Sequence, residues 1–91
     1  MTEQTRTLDT LIDRYIVPDP NGRPDRVRIT GSGAEIWALI AYLRAYSIEQ
    51  TAIDYHLPRE AVEAAIAYYK RHRAVIDARL TLHDAAFAAE Q

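Results

Sequence analysis

Residues 47–66, Ser-Ile-Glu-Gln-Thr-Ala-Ile-Asp-Tyr-His-Leu-Pro-Arg-Glu-Ala-Val-Glu-Ala-Ala-Ile, constrain this chain more than any other stretch, because they read as two short helices joined by a tight turn. Ile48, Ala52 and Tyr55 fall on one face of the first helix, and Val62, Ala65, Ile66 and Tyr69 on one face of the second. Each helix therefore offers an apolar stripe for the other to cover. The small Ala52 lets the second helix approach closely. The spacing is that of a helix-turn-helix, a pattern shared with helical proteins that bind no nucleic acid. It points to a recognition or regulatory module rather than an enzyme.

Upstream, residues 5–13 form a short amphipathic helix carrying Leu8, Leu11 and Ile12, and Tyr15, Ile16 and Val17 read as a strand. Pro18-Asp19-Pro20-Asn21-Gly22 closes it with turn-forming residues. In Arg26-Val27-Arg28-Ile29-Thr30 the alternation puts Val27 and Ile29 on one face, as in a half-buried strand. A hairpin this small must pack on helices or pair with another chain. After Gly31-Ser32-Gly33, with Ser32 as cap, a helix is expected from about Ala34. Ile36, Leu39, Ile40 and Leu43 give it the clearest amphipathic repeat in the chain, widened by Trp37 and Ala41. Ser47 and Gln50 have the spacing of a capping box, and Pro58 suits the first turn of the following helix.

No breaker follows Pro58, so the last helix is expected to reach at least Leu80 and to extend toward Phe87, a length of ~33 Å or more. Val62, Ile66, Tyr69, Ile76 and Leu80 run an apolar stripe along it. An arm that long outgrows the domain, so its distal half is expected to pack against a second subunit or a partner protein. Tyr15, Val17, Tyr69, Ile76, Leu80 and Phe87 are the expected interface residues. The expected architecture is mainly α and forms one domain over 1–91: an N-terminal helix or arm (1–13), a β-hairpin (14–31), a helix-turn-helix core (34–80) and a C-terminal extension (81–91).

Composition narrows the chemistry. Ninety-one residues, 48% of them apolar, build one modest core, and the absence of cysteine excludes disulfides, thiolate metal sites and a thiol nucleophile. The N-terminus lacks the features of a signal peptide and no stretch approaches the ~20 apolar residues of a membrane span, so a cytoplasmic, non-membrane protein is expected. A formal net charge of −2 argues against avid, nonspecific nucleic-acid binding. Lys70, Arg71, His72 and Arg73 nevertheless form a basic knot. As phosphate contacts, Lys70, Arg71 and Arg73 would act with Arg59, Arg26 and Arg28; the alternative is a solvated helix face paired with Glu63 or Asp77. Glu60 and Glu63 at the start of the same helix oppose phosphate contact unless one of them reads a cytosine amino group. His56, His72 and His83 lack metal-ligand spacing, and Asp77, His83 and Asp84 have no accompanying nucleophile, so no catalytic residue, metal or cofactor is expected. Tyr42, Tyr46, Tyr55, Tyr68 and Tyr69 are expected in the core or at a dimer seam.

Several runs together carry a family resemblance: Gly22-Arg23-Pro24, Arg26 through Gly31, Glu35 through Ile40, Ser47-Ile48-Glu49-Gln50, Ala52, Tyr55, Leu57-Pro58, Val62 and Ala65 through Tyr69. Over roughly residues 14–75 the chain resembles domain-of-unknown-function family four-three-three. Its members are often described as VapB-type antitoxins encoded beside a PIN-like ribonuclease toxin, with a homeodomain-like helix-turn-helix behind a strand pair. The resemblance implies a dimeric antitoxin that inhibits a toxin protein and represses its own operon by binding operator DNA. A structural dimerisation or protein-interaction module without DNA binding is the alternative. The family's usual Gly-Thr-Arg-Ile element stands here as Gly31-Ser32-Gly33-Ala34, so the resemblance carries no role for that arginine. His56 replaces the glycine common in the turn, which implies either a differently opened turn or a left-handed histidine.

Overall fold

A computed structural model describes residues 2–89. Across them the chain is mainly α-helical: α1 (Thr2–Tyr15), α2 (Ile36–Leu43), α3 (Ile48–Tyr55), α4 (Arg59–Arg71) and α5 (Arg73–Ala89). A two-stranded antiparallel ribbon, β1 (Ile16–Val17) and β2 (Arg28–Ile29), lies between α1 and α2, with Ile16 opposite Ile29 and Val17 opposite Arg28. None of these helices is long and apolar enough to cross a membrane.

The ribbon is shorter than the sequence pattern suggests. Tyr15 ends α1 instead of opening a strand, and its carbonyl accepts a hydrogen bond from Thr30 N at 2.8 Å. Arg26 belongs to a 3-10 turn, Pro24–Arg26, whose first residue fixes φ and has no N–H to leave unpaired. The alternation still decides which face is inside, since Val27 and Ile29 are buried while Arg28 and Thr30 are exposed. Beyond β2 the chain folds back on it: Ile29 N donates to Ala34 O at 2.8 Å and Ile36 N to Val27 O at 3.1 Å. That pairing delays the start of α2 from Ala34 to Ile36. Ser32 Oγ accepts from Ala34 N and closes the turn rather than capping the helix, between Gly31 and Gly33 at φ of 82° and 73°.

Ser47 Oγ caps α3 by accepting from Gln50 N at 3.0 Å, but the reciprocal half of the capping box is absent because Gln50 donates its amide to Asp54. At the other end His56 is left-handed, with φ 56° and ψ 45°, and Leu57 N donates to Ala52 O. The histidine thus adopts the conformation that glycine more often supplies.

α4 is the hub. Ala61, Val62, Ala64, Ala65, Ala67 and Tyr68 are all buried, which at ~100° per residue covers well over half its circumference. α1, α2 and α3 each pack against it, and the alanines permit that crowding. A strip of Arg59, Glu63, Ile66 and Lys70 is left open or half-open.

The expected long C-terminal helix is broken. His72 leaves helical geometry, with φ −127° and ψ 38°, while its N–H still bonds to Tyr68 O and Tyr69 O. Its ring stacks on Tyr68 at 4.2 Å, and Tyr68 in turn donates its hydroxyl to Pro24 O at 2.8 Å. α5 consequently turns back onto α2 and the 3-10 turn, putting Ile76 and Leu80 into the same core as Ile29, Ile36 and Leu39. A break of this kind forgoes only helical hydrogen bonds at the junction, each worth ~0.5–1.5 kcal/mol net. Burying an isoleucine and a leucine returns ~1.5–3 kcal/mol each, so the fold-back wins.

Candidate interaction groove

The six cations expected to touch phosphate sit on three different parts of the fold, and most already face carboxylates. Arg26 and Arg28 both reach Glu35, at 3.6 and 3.5 Å. Glu35 also accepts from the Trp37 indole and pairs through its backbone with Arg28, so one half-buried carboxylate organises the hairpin end. Nothing in the sequence around Glu35 marked it for that role. Arg59, in the first turn of α4, donates to Glu63 at 2.9 Å and also pairs with Glu49 of α3. The pairing raises the Arg59 pKa, chiefly through the hydrogen bond to Glu63. Glu49 is held below the usual carboxylate range, first by its own backbone N–H and then by the Arg59 charge. Arg71 pairs with Asp9 of α1 at 2.5 Å, rather than with Glu63 or Asp77.

Lys70 and Arg73 differ. No carboxylate of residues 8–89 lies within ion-pair distance of either, and the Arg73 guanidinium sits 5.5 Å over the Tyr69 ring. Both line an open cleft of about 520 Å³ beside the α4–α5 junction, whose apolar floor is formed by Ile40, Leu43, Ile66 and Leu80. Arg44, at the end of α2, is a third cation on this cleft, and it pairs with Asp84 at 3.2 Å. Asp77 is the one carboxylate among the lining side chains, and it accepts the Tyr69 hydroxyl at 2.7 Å. That hydrogen bond raises the Tyr69 pKa, while Arg73 and Arg44 oppose the rise. Ile48, Ile66 and Lys70 are shared with an adjoining hollow of about 430 Å³ that reaches Leu8 and Leu11 of α1. Sequence reasoning reached Lys70, Arg73 and Tyr69 but missed Arg44 and Ile48, which join the groove only because α2 and α3 meet there.

The expected interface residues separate in the same way. Ile76 and Leu80, expected to be sheltered by another molecule, are 0% and 2% exposed inside the chain's own core. Tyr15 is half-buried and donates to Glu60, and Tyr69 borders the groove. Val17 and Phe87 are 44% and 59% exposed. Every described residue from Thr81 to Ala89 is exposed, including Leu82, while Glu90 and Gln91 of the expected extension lie outside the described residues.

Several polar side chains outside the groove make contacts within the fold. Tyr42 donates to Asp54 and its pKa is pushed up to about 12, chiefly by that bond. Burial raises the Tyr68 pKa, with Asp25 adding to it. His83 lies 5.0 Å from the Trp37 ring, and Arg79 sits over the same indole. Among the described residues no three His, Asp or Glu side chains converge as metal ligands would. Comparison with known protein families, with curated proteins and with solved structures finds no match for this chain.

Proposed function

We propose that this chain is a noncatalytic, antitoxin-like regulator of the cytoplasm that works by capturing a protein partner, a PIN-like toxin in the sense of the resemblance above. The observation that carries this reading is the distal part of α5. Beyond Leu80 it runs past the core with Leu82 65% and Phe87 59% exposed. Large apolar side chains on an exposed helix are the raw material of a protein interface. Self-association through the same end is the way this reading accommodates a homodimer.

The test is copurification of the neighbouring gene product with the full chain and with a Leu82→Glu/Phe87→Glu variant. The parent is expected to capture and neutralise the toxin, and the variant to lose capture while unfolding at the same temperature. Equal capture by both would reject the reading. A chain cut at Ala74 is a poor probe, because it also removes Ile76 and Leu80 from the core.

Operator DNA is a secondary reading, supported by the order α3, left-handed His56 turn, α4, which is that of a helix-turn-helix. Against it stand the enclosure of α4 and the pairing of Arg59 with two glutamates. A shift assay on upstream DNA across a salt series decides it. Affinity that falls with salt and with Arg59→Ala supports operator binding, and absence of a shift removes it.

A further inference from the structure

We infer that the groove between α2, α3 and the α4–α5 junction is a docking site for an acidic amphipathic helix of a protein partner. This rests on the protein-capture reading and adds to it the chemistry of what is captured. Three cations on the main cleft, Arg44, Lys70 and Arg73, face one carboxylate, Asp77, which is already engaged by Tyr69. That surplus stands out in a chain whose formal net charge is −2. The Arg44–Asp84 pair does not cancel it: both side chains are half-exposed, and such pairs are worth only ~0–1 kcal/mol, so an incoming carboxylate can replace Asp84.

The shape selects among polyanions. The floor beneath those cations is apolar, with Ile40 and Leu80 buried and Leu43 and Ile66 half-buried. A nucleic-acid backbone has phosphates to offer the rim and nothing to cover the floor. An amphipathic helix offers both, with apolar anchors one turn or more apart and carboxylates flanking them. The two hollows, meeting at Ile48, Ile66 and Lys70, suit two such anchors. Each has a volume in the range of ~300–1,000 Å³ usual for ligand sites.

The probe is a fluorescent peptide of about 18 residues, long enough to form a helix on binding, with leucine at helical i, i+4, i+7 spacing and glutamate on the flanks. A matched peptide with lysine for glutamate and a short DNA duplex serve as controls. Fluorescence anisotropy on the full chain is expected to show the acidic peptide binding at least ~tenfold more tightly than the basic one, with affinity falling as salt rises. Lys70→Glu is expected to weaken it ~tenfold, Lys70→Gln by less, and Arg26→Glu, in the 3-10 turn and lining neither hollow, not at all. Lys70 is exposed, so unchanged thermal unfolding of its variants shows that the fold is intact. Equal binding of both peptides, indifference to Lys70→Glu, or displacement of the acidic peptide by the duplex would overturn the inference. The Leu82→Glu/Phe87→Glu variant separates the two proposals: peptide binding survives in it if the groove is the site, whatever becomes of toxin capture.

Discussion

α4 and α5 read as one helix in the sequence and meet opposite fates in the fold. α4 is covered by three other helices, and six of its thirteen residues are buried, four of them alanines. α5 has seventeen residues and buries two, Ile76 and Leu80. The difference teaches that apolar content does not set burial here. The buried face of α4 is mostly alanine, and α4 is central because small side chains let neighbours approach from several sides. α5 has the exposed large apolar side chains, Leu82 and Phe87, because it touches the body along one side of its first half and then runs past it.

Substitutions in the two helices test this contrast. Ile76→Ala and Leu80→Ala are expected to cost ~2–5 kcal/mol each, read from urea unfolding midpoints, since each leaves a cavity in the core. Unchanged midpoints would mean that α5 does not fold back onto α2 and would restore the long free arm. Next in size, Ala64→Leu is expected to cost ~1–3 kcal/mol by overpacking, whereas the same change at exposed Ala85 in α5 stays within ~0.5 kcal/mol. Comparable losses at both sites would erase the distinction drawn above. At the junction, Tyr68→Phe deletes the hydrogen bond to Pro24 O and is expected to cost ~0.5–1.5 kcal/mol. It is also expected to speed amide exchange around His72, which holds its place by stacking on Tyr68.

The smallest expected effects are those of pH. Tyr42 ionises near pH 12 instead of near 10, so the folded state holds its proton more tightly than the unfolded chain. Its contribution is fully present below pH 10 and fades between about pH 10 and 12. Tyr42→Phe should flatten that alkaline decline, measured as melting temperature against pH. Glu49 has the opposite sign. Its depressed pKa gives a contribution present at neutral pH that is lost as pH falls below the ordinary glutamate range, and Glu49→Gln should remove it.

Local rules carried a good part of this architecture. Turn chemistry placed the Ser47 cap and the loop after Val17, the alternation at Val27 and Ile29 named the inward face, and the repeat from Ile36 to Leu43 named a core helix. The basic knot was equally visible as a run of letters. Its meaning was not, because Arg71 is answered by Asp9 from sixty-two positions away, while Lys70 and Arg73 form no ion pair with any side chain of residues 8–89 and Arg73 rests over the Tyr69 ring instead.

By itself the sequence determined that the chain is helical, where most turns fall and which side chains seek an interior, since these follow from backbone geometry and from periods of two and 3.6 residues. The tertiary structure alone decided that the helix after Pro58 breaks at His72, that Ile76 and Leu80 are shielded from within, and that Arg44, Lys70 and Arg73 meet around one apolar floor. Those outcomes depend on burial free energy shared among residues far apart in the chain. No breaker residue or local propensity encodes such a sum.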